Sequence, residues 1–161
     1  KYMDLISISK HNFFTQKKIF YLVLQILNIN KLEFFSDYLN KKLADELDLE
    51  KVFLISSSND VKKFGGEKFN HQTLNNIFNN HNGLIMDAVD DKCKLFGEAQ
   101  NKIYSNAIFS IDYEIFNCPS LLIFGSSGKV FIGNKGTELI NFLCLVINAK
   151  IKQLNLNGKK T

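Results

Sequence analysis

The chain has 161 residues, 45% of them hydrophobic, and a formal net charge of +4, which fits one domain with room for a substantial core. All 20 basic residues are lysines and they are scattered, so the guanidinium fork that reads phosphate and guanine is missing and nucleic acid is not expected as a partner. Three widely spaced cysteines without a Cys-x-x-Cys pair argue against a disulfide framework and a zinc site. No apolar run reaches about 18 residues and no secretory signal is read, so neither a membrane span nor export is expected; reduced thiols fit the cytoplasm.

Along the chain, Ile19, Leu22, Val23, Ile26 and Leu27 repeat at helical spacing and predict a helix over residues 12–29. Asn30, with Glu33 three residues on, reads as the cap of a second helix reaching Leu47, with Phe35, Leu39 and Leu43 on its apolar side. Burying each such side chain is worth roughly 1.5–3 kcal/mol, so both stripes need a partner surface. Residues 51–57 hold Val52-Phe53-Leu54-Ile55, a strand covered on both faces. After a Ser/Asn loop and the Gly65-Gly66 turn, residues 71–80 predict a short helix capped by Asn70, with Leu74, Ile77 and Phe78 inward.

A strand over 83–87, a loop or short helix over 90–97 and a strand over 103–113 follow. In the last of these, Ala107, Phe109, Ile111 and Tyr113 point one way and Asn106, Ile108, Ser110 and Asp112 the other. Pro119 opens a further strand over 121–125. Residues 125–131 predict a hairpin turn and a short extended return. A long helix with Leu139, Ile140, Leu143, Val146, Ile147 and Ile151 closes the chain before a tail at 158–161. The order predicts an α+β fold: an antiparallel sheet with terminal helices on one face and a short helix plus loops on the other.

The chemistry is sparse. Gly125-Ser126-Ser127-Gly128-Lys129 has two residues between its glycines where a phosphate loop needs four, and Val130 follows the lysine. Asp87, Asp90, Asp91, Asp112 and Glu114 lack the central glycine and alternating ligands of a calcium loop and read as a solvated set. His11, His71 and His81 have no ligand partner at helical spacing. Cys144 reads as an apolar filler. Cys118 has no neighbouring base, and Cys93 sits between Lys92 and Lys94. No catalytic residue, metal or cofactor is expected.

Three blocks carry a family resemblance: the Leu-rich lead-in from Asn12 through Phe35, Leu39 and Leu43; Leu95-Phe96-Gly97 with Ser105-Asn106-Ala107; and Leu122-Ile123-Phe124-Gly125-Ser126 followed by Phe131 through Gly136-Thr137 to Phe142-Leu143. Together they resemble the GAF-like bacterial family called domain of unknown function 484, from about residue 10 to 152. Gly133 and Lys135 stand where that family carries Pro and Met. The resemblance implies a GAF-like fold with five or six antiparallel strands, and a homodimer formed through the terminal helices. It supplies no activity.

On this basis residues 1–161 form a single GAF-like domain, with 1–30 as helical lead-in, 31–152 as core and 153–161 as tail. The expected function is that of a non-catalytic sensory or regulatory domain binding a small molecule between sheet and short helix. Phe53, Ile55, Phe78, Met86, Ser105, Ala107 and Phe109 are the expected pocket lining. Ile19, Leu22, Val23 and Ile26 are the expected dimer interface. The alternatives are a homodimerisation or adaptor domain with a collapsed pocket, or a redox enzyme using Cys93 or Cys118.

Overall fold

The computed structural model describes residues 16–80, 83–92, 94–133 and 136–159. Helix α1 covers 16–27. A second helical run comprises α2 (Leu32–Asp37), a widened π turn (Tyr38–Lys42) and α3 (Leu43–Leu47). Its cap is Lys31 rather than Asn30, and no side chain closes it; the Phe35 amide donates to the Lys31 carbonyl instead. Asp48 ends the run in the left-handed conformation.

Strand β1 (Lys51–Ser56) leads through a 3-10 turn (Asn59–Phe64) to β2 (Glu67–Lys68), then α4 (His71–Asn80) and β3 (Leu84–Ala88). A second 3-10 turn (Gly97–Lys102) precedes β4 (Ser105–Ser110), α5 (Tyr113–Phe116), β5 (Ser120–Ser126) and α6 (Thr137–Lys159). The last helix takes in residues 153–159, which the sequence-based division assigns to the tail.

The five strands form one sheet in the order β2-β1-β5-β4-β3. β1, β5, β4 and β3 pair antiparallel, with Phe53 opposite Ile123, Phe124 opposite Ala107, and Ala107 opposite Met86. β2 is the departure. It pairs parallel with β1 through Ile55–Glu67 and Ser56–Lys68, which makes the sheet mixed. Two residues after a glycine turn leave no period to read in the sequence.

Side-chain alternation splits the core in two. On one face Val52, Leu54, Ala107, Phe109, Leu122 and Phe124 meet α1, α2, α3 and α6. Phe64 joins this core through edge-on contacts with Phe35 and Phe116, at centroid distances of 6.0 and 5.4 Å. On the other face Phe53, Ile55, Leu121 and Ile123 meet Leu74 of α4 and Leu95, Phe96 and Ile103 of the 89–104 segment.

Helix α6 is long and apolar enough, by length and composition, to cross a bilayer. Here its inner side is core, with Leu143, Ile147, Ile151 and Leu154 buried at helical spacing. Two buried polar residues tie it to its neighbours. Asn148 accepts from the Asp112 amide at 3.0 Å and donates to its carboxylate at 3.1 Å. Lys150 Nζ donates to the Leu27 and Ile29 carbonyls at 3.3 and 2.8 Å, and to Gln153 Oε1 at 2.8 Å. Lys150 thus closes the C-terminal end of α1, where carbonyls lack helical partners.

The glycine-rich block after β5 makes no extended return. Residues 127–133 are turns, with the Ile132 amide donating to the Lys129 carbonyl at 3.0 Å. Ser105 Oγ anchors them, donating to the Gly128 carbonyl at 2.6 Å and accepting from the Phe131 amide at 3.3 Å. Phe131 is buried against Phe124. Gly136, at φ 76°, takes a left-handed turn immediately before α6, a conformation that costs glycine least.

A candidate small-molecule site on the second sheet face

The second face is roofed by two elements. Helix α4 starts where Asn70 Oδ1 accepts from the Thr73 amide at 3.0 Å, a side-chain cap that fixes its origin. The 89–104 segment is pinned at both ends and within. The Val89 amide donates to the Tyr104 carbonyl at 3.0 Å, and the Tyr104 amide to the Ser126 carbonyl at 2.8 Å. Gln100 accepts from the Phe96 amide and donates to Asp91, both at 3.2 Å. Phe96 drops onto the sheet, edge-on to Phe53 at 5.4 Å.

Between this roof and strands β3 and β4 lies a cavity of about 200 Å³. Ile77, Ile85, Val89, Leu95, Phe96 and Ile108 make most of its apolar wall; Asn106, Asp87 and Asp90 supply the polar groups. A wider open groove of about 450 Å³ lies beyond Leu95 and Phe96, bordered by Lys51, Glu67 and Phe69. There Lys51 Nζ sits 3.4 Å from Glu67 and 4.3 Å above the Phe53 ring.

The seven residues expected to line one pocket do not share a face. Phe53, Ile55 and Phe78 lie on the roofed side. Met86, Ala107 and Phe109 pack with the helices on the opposite side, and Ser105 follows their alternation to hold the Gly128 turn. The alternation along β4 was legible, but the side carrying Asn106 and Ile108 is the one that faces the cavity. Two long helices demand the more apolar face, and a short helix with a loop leaves room for an asparagine. On β3 the cavity residues are accordingly Ile85 and Asp87.

Ile19, Leu22, Val23 and Ile26 are also relocated. All four are buried in the chain's own core, so they are not a surface for a second copy. The outward side of α1 carries Phe20, Leu24 and Leu27, and that of α6 carries Phe142, Leu145 and Leu156, all exposed.

Cys118 is partly buried, with Sγ 3.2 Å from Ser56 Oγ, which also accepts from Ser120 Oγ at 2.7 Å. His71 pairs instead with Ser57 Oγ at 3.0 Å. No base therefore faces the thiol within this network. Cys144 is fully buried, and burial pushes its thiol far above the ordinary value. Cys93, His11 and His81 lie outside the described residues. Among the described residues, no three His, Cys, Asp or Glu side chains gather into a metal site.

Comparison with curated proteins finds no match. A family model does match, over residues 2–155, spanning all five strands, the cavity and nearly all of α6. The chain therefore belongs to the family described as "Protein of unknown function, DUF484".

Proposed function

We propose that this chain is a GAF-like regulatory domain, without catalysis of its own, that binds a small molecule on the roofed face of its sheet. One observation carries the reading: a cavity of about 200 Å³ with an apolar wall and a few convergent polar groups lies where the sheet is covered by a short capped helix and a pinned loop. Pockets of this composition suit small ligands, and this volume sits below the usual 300–1,000 Å³ of drug-sized sites. The arrangement of terminal helices on one face and a short helix with loops on the other supports the GAF-like assignment. The free thiols of Cys118 and Cys144 support an intracellular, reducing setting. A thermal-shift screen of the purified chain against amino acids, nucleobases, amines and nucleotides tests the reading, because a ligand that prefers the folded state raises the melting temperature. No shift with any compound class would remove it.

A second reading rests on a different observation and is compatible with the first. The outward residues of α1 and α6 are apolar and exposed, both helices pack on the same side of the sheet, and exposed apolar stripes commonly mark an interface. They support a homodimer formed through Phe20, Leu24 and Leu27 of α1 with Phe142 and Leu145 of α6. Light scattering on the full chain tests it; a monomeric mass at high concentration would count against it.

A further inference from the structure

Resting on the small-molecule reading above, we infer that the cavity selects a small organic cation: an amine- or amidine-bearing molecule with a short apolar body. Asn106 is the first reason. It lies in the middle of β4, is only 6% exposed, and lines the cavity. Among the described residues its carboxamide has no hydrogen-bond partner, while no fully enclosed side-chain N or O is left unsatisfied. The carboxamide therefore meets the cavity space itself. Its open donor and acceptor positions are available to a ligand group that enters the cavity.

Charge is the second reason. Asp87 and Asp90 lie on the cavity wall, and among the described residues no lysine or histidine does. Asp87 Oδ1 accepts from the Ala88 amide at 2.7 Å and Asp90 Oδ1 from the Lys92 amide at 2.9 Å. Backbone N–H groups hold both carboxylates in place. Lys92 and Lys94 leave the same loop but are exposed and do not line the cavity. A cation entering beside Ile85 and Ile108 would meet negative charge at the rim and the Asn106 carboxamide deeper in. A phosphate or carboxylate would meet like charge, with no basic side chain among the described lining residues. Asp87 and Asp90 are themselves exposed, so their attraction weakens with added salt, whereas the Asn106 contact does not.

The apolar wall sets the rest of the ligand. Ile77, Ile85, Leu95, Phe96 and Ile108 leave a slot suited to a ring or short chain.

Three probes of matched shape separate the possibilities: benzamidine, benzamide and benzoate. Backbone amide spectra of the full, isotopically labelled chain would be followed during titration. The expected result is that benzamidine moves the Ile85, Asn106 and Ile108 resonances with an affinity at least about tenfold above that of benzoate. Asn106→Leu, of similar size, should weaken benzamidine by about tenfold with the melting temperature retained. Asp87→Asn should narrow the gap between benzamidine and benzamide, and Asp87→Asn with Asp90→Asn should close it. If benzoate or benzamide moves the same resonances as strongly as benzamidine in the unaltered chain, the cation inference is overturned and the small-molecule reading stands. If no probe moves them and the metabolite screen is also silent, both fall. Should Asn106→Leu lower the melting temperature sharply, Asn106→Ala and the Asp87→Asn series still decide the outcome.

Discussion

Gly125 and the Phe96 ring occupy adjoining space: a side-chain carbon built at Gly125 would run into Cε1 of Phe96 and approach Ile103 Cδ1 to 2.9 Å. The glycine near the end of β5 is thus the seat of the aromatic ring that roofs the second sheet face. Close approach to a neighbouring side chain, more than turn geometry, is what calls for glycine here. Gly125→Ala is expected to destabilise the domain by about 1–3 kcal/mol, the usual range for overpacking a core. It should also displace Phe96 from Phe53. Denaturant unfolding checks the first effect and the Phe96 ring resonances check the second.

Lys150 donates to three acceptors, and only the charged ammonium has three N–H groups to give. Burial lowers its pKa from the ordinary 10.5, but the acceptors leave it a stabilising cap on α1. Lys150→Met keeps the aliphatic stem and abandons the Leu27 and Ile29 carbonyls. The expected loss is about 1–3 kcal/mol, or several degrees in melting temperature, as calorimetry would measure.

Cys144 gives a pH dependence of definite sign. Burial raises its thiol above the ordinary 9.0, so the folded chain keeps a proton that the unfolded chain releases. The corresponding stability is complete below about pH 9 and is lost as pH rises further, at up to about 1.4 kcal/mol per pH unit. Tyr38, raised first by burial and then by Glu46 and Tyr21, acts in the same sense from about pH 10. Lys150, lowered by burial, acts in the opposite sense. Comparing Cys144→Ala with the unaltered chain isolates the thiol: above about pH 9 the variant should lose stability more slowly. Parallel curves would contradict the assignment.

The exposed stripes of α1 and α6 set a test of self-association. Leu24→Lys with Leu145→Lys changes only outward positions and is expected to leave the melting curve of the monomer intact while reducing a dimeric scattering mass to the monomer's. Leu22→Lys or Ile26→Lys would instead bury a charge in the core and unfold the domain.

Much of the fold was written in local pattern. The Ile19–Ile26 spacing, the unbroken apolar runs of Val52–Ile55 and Leu121–Phe124, and the Asn70 cap each specify one element. The two-residue strand Glu67–Lys68 and the turns holding Phe131 were not legible, because pairing with Ile55 and Ser56 and a hydrogen bond from Ser105 decide them at long range. The cavity was legible only in part. Alternation separates Asn106 from Ala107, yet which side meets the long helices depends on packing across the whole sheet. The stripe of α1 shows the same limit, since periodicity marks Ile19, Leu22, Val23 and Ile26 as needing burial without saying that α6 and the sheet supply it.

Whether the roofed cavity is a binding site decides the function. Ile108 stands on its wall, half-buried, and Ile108→Trp would fill the space without touching the helical core. The decisive measurement is the melting temperature of the full chain and of this variant against the same compound library. A ligand at a hundred times its dissociation constant stabilises by about 2.7 kcal/mol, a shift of roughly 5–10 °C for a domain of this size. Such a shift is expected in the unaltered chain, together with its loss in Ile108→Trp. An equal shift in both proteins, or none in the unaltered chain across the library, would contradict the binding-site reading.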